Sequence, residues 1–282
     1  MKKTFHIVGA GKVGQTLAQL LHRQGARLVA VSGGRDAAVL ADRCGGVFVP
    51  HIAALPPAEM ILITPPDNVI AEVAAELAVL PWLSGETLAV HCSGAKSVAV
   101  LASLAARGVR TGSLHPVFAF ADVQAAVAAL PGQLCALEAE PAAMDDLREI
   151  AAALGLRAFT LPSASKARYH AALSAASNFS VVLAAFAQQL LQPLALPEAL
   201  SRELVSALMR QSVDNLAALT PAQALTGPIV RGDDSTVAAH LAALDAAERA
   251  QYCTWALAAL ALAAGRVDEA AAERLAALLE AV

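Results

Sequence analysis

The sequence predicts an α/β domain built on a mostly parallel sheet, followed by an all-helical domain. Three observations carry this. Short apolar runs alternate with helix-like periodicity up to residue 162, strand signals stop after Pro162, and a glycine-rich turn follows the first strand at once. Thr4–Val8 reads as a strand ended by Gly9, and Val13–Gln24 as an amphipathic helix ended by Gly25. Arg27–Ser32 is a second strand, Ala37–Arg43 a helix closed by Gly45 and Gly46, and Val47–Val49 a short third strand. Met60–Thr64 is a buried strand stopped by Pro65 and Pro66, followed by a helix over Val69–Leu80. Strand Thr87–His91, helix Val98–Ala106 and strand Arg110–Ser113 come next. Strands Gln133–Glu138 and Arg157–Leu161 flank a helix over Ala142–Leu154. Strands separated by helices imply right-handed crossovers and parallel pairing.

From Ser163 the chain reads as helices at Ser165–Leu191, Pro197–Leu219, Ser235–Leu244, Ala246–Ala264 and Asp268–Ala281, punctuated by Pro193, Pro197, Pro221 and Gly265. The expected domains are therefore 1–162 and 163–282. A length of 282 residues also fits two domains rather than one.

Composition narrows the classes of function. The net charge is −4 and no basic block interrupts it, which argues against nucleic-acid binding. The chain is 57% hydrophobic, yet its longest uninterrupted apolar stretch in the second half, Trp255–Ala264, is shorter than the ~20 residues of a spanning helix. The expectation is no membrane span, with the apolar excess buried between subunits. The opening Met1-Lys2-Lys3 resembles the charged start of a signal peptide, but Gly9 to Gly14 interrupts the apolar run, so a first strand is the better reading. Cys44, Cys92, Cys135 and Cys253 are scattered without a paired spacing. That predicts no disulfide framework and no metal site, and fits a reducing cytoplasm.

Gly9-Ala10-Gly11-Lys12-Val13-Gly14 has the GxGxxG spacing, directly after a strand and opening a helix. The first glycine permits the tight turn, the second lets backbone approach a pyrophosphate, and the third lets helix pack on strand. Free N–H groups at the helix start then face the phosphates. This pattern defines a Rossmann domain, doubly wound, that binds a nicotinamide dinucleotide. At the end of the second strand stands Ser32-Gly33-Gly34-Arg35 in place of the Asp or Glu that accepts from an NAD ribose. A guanidinium suits a 2′-phosphate, so NADP is expected; Asp36 could still reach a ribose, which leaves NAD possible. The loops bearing Thr64-Pro65 and His91-Cys92-Ser93 end strands at the same sheet edge and are expected beside the cofactor. Asp67 reads as a helix cap, and Cys92 has no neighbour that would activate a thiolate.

In the helical half, Lys166, His170, Ser174 and Ser177 recur at helical spacing and form a polar stripe on an otherwise apolar helix. Such a stripe faces either another helix or a ligand pocket. Lys166 and His170 are the catalytic candidates, since a partly desolvated Lys can donate a proton. Arg231, in the loop Leu225–Asp233 before a cap at Asp234 or Ser235, is either an anion-binding residue or a surface charge in a tight turn. His115 at a strand end and Ser174 join Arg231 as candidate substrate contacts.

The motifs GAGKVG, TPPDNVI, HCSGAKS, SLHPVFAF, KARYHAALSAASN and LTGPIVRGD, in this order over nearly the whole chain, resemble a bacterial family that joins a Rossmann-like domain to a conserved helical C-terminal domain. More distantly the chain looks like the group of pyrroline-5-carboxylate reductases, ketopantoate reductases, 6-phosphogluconate and hydroxyacid dehydrogenases and deazaflavin-dependent NADP reductases. The resemblance implies an all-α C-terminal domain of the 6-phosphogluconate dehydrogenase C-terminal-like type, packed into a homodimer. It implies too that Lys166 matches the Lys that opens the long helix in the dehydrogenase branches. Where those carry Asn one turn later, this chain has His170. The expectation is an NADP-dependent oxidoreductase acting on a small, anionic metabolite; the alternative is a non-catalytic NADP-binding or sensing protein.

Overall fold

The computed structural model describes residues 3–281. Strands β1 (Thr4–Val8), β2 (Arg27–Ser32), β3 (Val47–Phe48), β4 (Met60–Ile63), β5 (Leu88–His91), β6 (Arg110–Pro116), β7 (Leu134–Ala139) and β8 (Arg157–Thr160) form one sheet in the order β3-β2-β1-β4-β5-β6-β7-β8. Every neighbouring pair is parallel except β6 with β7. The helices of this region are α1 (Lys12–Arg23), α2 (Ala37–Arg43), α3 (Ile70–Leu77), α4 (Ala102–Ala105), α5 (Val123–Ala129) and α6 (Pro141–Ala153).

The central strands are apolar on both faces because helices cover both. Ile7, Leu62, Val90, Leu114 and Leu137 pack on one side with Leu17 of α1 and Leu147 of α6. Val8, Ile61, Ile63 and Ala89 pack on the other with Ile70 and Leu77 of α3 and Leu104 of α4. Order reverses between β1 and β4, so the crevice outside their carboxyl ends is where a doubly wound sheet takes its ligand.

The antiparallel pair follows from a short return. β6 runs three residues past its expected end, and the Val117 N–H then donates to the Leu134 carbonyl (2.9 Å). Between them α5 packs near α1, held at its start by the Asp122 carboxylate, which accepts from Ala125 N (2.8 Å).

The chain divides into two compact units, one up to Ser177 and one from Asn178. The division falls inside the long helix α7 (Lys166–Leu191), whose first turns belong to the first unit. The second unit continues with α8 (Glu198–Leu216), α9 (Pro221–Ala224), α10 (Pro228–Arg231), α11 (Asp234–Ala243), α12 (Ala246–Leu262) and α13 (Glu269–Glu280). Its own core gathers Ile229, Val237, Leu241, Cys253, Ala256, Leu275 and Leu279.

Several expectations are corrected here. Residues 225–233 contain a helical turn, α10, bracketed by Gly227 (φ 103°) and Gly232 (φ 69°). The cap of α11 is Asp233, one residue earlier than expected, accepting from Thr236 N (3.0 Å). One helical stretch, Ser163–Leu194, is long and apolar enough to cross a bilayer by length and composition, with a mean hydropathy of 1.4 over its best window. Uninterrupted runs miss it because Ser, Asn and Gln are spaced along the helix without lowering its average far. That helix is also not a buried one: only 6% of the window is covered.

Candidate active site

The glycine turn has the geometry its spacing predicts. Gly9 has φ 104°, and a methyl group there would lie 2.6 Å from Pro65 N and 2.7 Å from Thr64 C. Both the backbone angle and the close approach of the loop after β4 exclude a side chain. The Thr64 hydroxyl donates to the Gly9 carbonyl (2.7 Å), and a methyl on Gly14 would meet that same hydroxyl at 2.6 Å. Gly11, by contrast, has open space where its Cβ would stand, and it begins α1 with no side-chain cap and no acidic residue in the first turn. Lys12, Val13 and Gly14 form that first turn, so an anion can approach unsatisfied N–H groups there. Ala10 does not contribute in this way, because its N–H donates to the Gly33 carbonyl (2.9 Å).

The loop after β2 lies across this turn. Gly34 (φ 94°) is close enough that a methyl would sit 2.8 Å from Ala10 N. Ser32 is buried, whereas Arg35 is exposed and has no hydrogen bond or ion pair among the described residues. The Asp36 carboxylate accepts from the Gln15 amide (3.1 Å), which occupies the group that could have served an NAD ribose. A cavity of about 530 Å³ adjoins the loop, lined by Ser32, Gly33, Pro50, His51 and Ile52 among others.

Register brings the remaining polar residues together. Ser32, Val8, Ile63, His91, Ser113 and Glu138 pair in one row across six strands near their carboxyl-edge level. Paired residues share a face, so His91, Ser113 and Glu138 stand side by side. Over them lies Lys166, the first residue of α7 and only 2% exposed. Its ammonium donates to the Ser113 hydroxyl and sits 3.3 Å from Glu138 Oε2. Glu138 Oε1 accepts from Val98 N (2.9 Å) and from the Ser163 hydroxyl. One buried carboxylate thus ties the segment after β5 to the entrance of α7. Burial lowers the Lys166 pKa, with Glu138 acting against it.

Beside this pair a second cluster is half-buried. His115 Nδ1 and the Tyr169 hydroxyl are hydrogen-bonded at 2.9 Å, and the His115 and His170 rings meet edge to face with centroids 6.2 Å apart. Gly94 lies against both imidazoles: a methyl there would be 2.6 Å from His170 Cδ2 and 2.7 Å from His115 Nε2. Burial, then the Lys166 and His170 charges, pull His115 down to about 4, Asp67 opposing. Burial pushes the Tyr169 phenol up to about 12. Burial, Lys166 and His115 take His91 down to about 3.

Cys92 is pushed up to about 12 by burial, against the Lys166 charge, so its thiol stays protonated, as expected for an inert residue. Asp67 is not a cap, which corrects its expected role. Its carboxylate accepts from the Ser93 hydroxyl (2.6 Å), whose oxygen accepts in turn from Ala95 N and Lys96 N. Of the stripe on α7, Lys166 is buried, His170 and Ser174 are half-buried and Ser177 is exposed. Arg231 belongs to the second unit, exposed, with its guanidinium 4.0 Å from Asp233. Ser113, Glu138 and Tyr169 were not legible as site residues; a lone Glu in the apolar strand Leu134–Ala139 was the available signal.

A Rossmann-like domain is matched over residues 2–116, and a domain of unknown function (DUF2520) over residues 133–259. The chain joins these two domains. No curated protein matches it. Among solved structures, a putative NADP oxidoreductase from Bacteroides fragilis is similar with a TM-score of 0.78 at 24% identity, over 93% of this chain and 98% of that one. Protein TM1727 from Thermotoga maritima is 26% identical with a TM-score of 0.64, over 98% of both chains. Plasmodium falciparum pyrroline carboxylate reductase, solved with NADP bound, has a TM-score of 0.61 at 13% identity, over 98% of both chains. These likenesses establish the shared architecture of the Rossmann-like and helical domains.

Proposed function

We propose that the chain is an NADP-dependent oxidoreductase acting on a small, anionic metabolite. The observation that carries the cofactor choice is Arg35, a free guanidinium at the end of β2 beside a glycine turn open at Gly11. The NADP named for two of the similar structures supports the same choice. The adenosine end occupies the cavity beside Ser32 and Gly33, the pyrophosphate the start of α1, and the nicotinamide the loops of Thr64-Pro65 and His91–Ser93. NADPH supplies hydride; the protein supplies position and charge.

Calorimetry with purified protein tests the cofactor. Arg35→Ala is expected to weaken NADPH about 10- to 100-fold, the worth of one or two charge-assisted hydrogen bonds, and to leave NADH unchanged. Equal affinity of the native chain for NADPH and NADH overturns the choice. A second reading, binding without turnover, is favoured by the commitment of Lys166 to Ser113 and Glu138. A screen of keto, imino and hydroxy acids with each redox form of the cofactor separates the two.

The helical unit is proposed to form a homodimer. Phe179, Val181, Val182, Leu204, Leu208 and Val213 of α7 and α8 are exposed, too much apolar surface to leave in water. Sedimentation is expected to give twice the chain mass, and Val181→Glu with Leu208→Glu to give the single mass.

A further inference from the structure

Resting on the oxidoreductase reading, we propose that His115 and Tyr169, and not Lys166, deliver the proton that accompanies hydride transfer. Lys166 is a positioning residue: its ammonium is 2% exposed and both of its partners, Ser113 and Glu138, belong to the sheet. A group so enclosed cannot meet a substrate atom without breaking a buried ion pair. His115 is placed differently. Its strand continues past the end of β5 while still paired with β7, so it stands at the carboxyl edge next to the loop of Ser93 and Gly94. Its Nδ1 is held by Tyr169, while its Nε2 has no hydrogen-bond partner among the described residues.

The charged and titratable groups around the ring are Lys166, Tyr169 and His170 from α7, His91 from β5 and Asp67 from the loop after β4. With Lys166 and His170 both disfavouring a second positive charge, the imidazole stays neutral and carries its proton on Nε2 when Nδ1 accepts from the tyrosine. A neutral imidazole gives up that proton only if its other nitrogen is protonated at the same time. Tyr169 provides for this. Hydride passes from the dihydronicotinamide of NADPH to the carbon of a C=O or C=N group, and the heteroatom takes the Nε2 proton. The Tyr169 hydroxyl proton moves to Nδ1; once product leaves, solvent protonates Nε2 and the Nδ1 proton returns to the Tyr169 phenolate. One hydride and one proton enter the substrate, NADP⁺ leaves, and the dyad is restored. Gly94 belongs to this arrangement because any side chain there would displace both imidazoles.

The test uses the full-length protein labelled with ¹⁵N-histidine, the His115 signal assigned by its loss in His115→Asn. Expected is a neutral ring down to about pH 4, with an Nδ1 shift that moves in Tyr169→Phe and an Nε2 shift that moves on adding NADP⁺. A His115 that ignores both changes, while calorimetry registers NADP⁺ binding, overturns the dyad and spares the cofactor assignment. Calorimetric silence toward both dinucleotides overturns the oxidoreductase reading itself. Pyruvate, with and without methylamine, serves as carbonyl and imine probe where the native chain reduces it. Tyr169→Phe and His115→Asn are each expected to slow single-turnover hydride transfer about 100-fold or more at unchanged NADPH affinity. Rates within threefold of the native chain overturn the assignment.

Discussion

Glu138→Leu is expected to destabilise the sheet-bearing unit by about 3–5 kcal/mol, the typical cost of leaving one member of a buried ion pair without its partner. Glu138 is 5% exposed and Lys166 2%, so neither charge can recover its hydration by a small side-chain movement. Losing the carboxylate strands the Lys166 ammonium with only the Ser113 hydroxyl, and deprives Val98 N and the Ser163 hydroxyl of their acceptor. Adding Lys166→Met removes the orphaned charge, so the double variant is expected to regain most of the loss. The two backbone and hydroxyl donors still lack a partner, so recovery stays incomplete. Trp82 lies in the first unit and Trp255 in the second, so urea unfolding followed by fluorescence in a Trp255→Phe background reports the first unit alone. A single variant that costs less than about 1 kcal/mol would mean that the pair is hydrated, which contradicts its burial.

Periodicity makes most of this architecture readable in the sequence. The run Met60–Ile63, apolar at every position, could only be a strand covered on both faces, and Gly9, Gly11 and Gly14 fixed where the ligand edge begins. The failures are those of local signals facing long-range decisions. Residues 117–132 show no clear period because α5 is only seven residues long, and its one strong cue, Asp122 before an alanine run, is a cap rather than a pattern. The reversal of β7 depends on where that short helix packs, which no local window contains. Lys166 was recognisable as a cation in an apolar helix, but its partner lies 28 positions earlier in a different strand. His115 and His170 each look like an isolated histidine in sequence; sheet register and the first turns of α7 make them neighbours. Arg231 is the opposite case, an arginine between two glycines whose nearest partner is only Asp233, at the limit of an ion pair.

Acidification from pH 7 to 4 is expected to weaken the first unit more steeply than its carboxylates alone would. His91 is fully buried and has its pKa depressed from 6.5 to about 3, and His115 from 6.5 to about 4. A depressed histidine contributes its full stability above the unfolded value. As pH falls below about 6.5 the unfolded chain takes up a proton that the folded chain refuses, so stability declines until the folded pKa is reached. Between pH 6 and 4 each such histidine steepens the decline by up to about 1.4 kcal/mol per pH unit. Burial is the leading cause for both rings, and the Lys166 ammonium adds to it by opposing their protonation. His91→Gln keeps a neutral acceptor for Ser93 N, which bonds His91 Nδ1 at 3.2 Å, while removing the titrating group. Its unfolding free energy is therefore expected to fall less between pH 6 and 4 than that of the native chain, by roughly the equivalent of one proton. Superimposable pH dependences for the two proteins would mean that His91 is protonated as readily when folded as when unfolded. A folded chain that accepts that proton must hydrate the imidazole, which contradicts the full burial of His91.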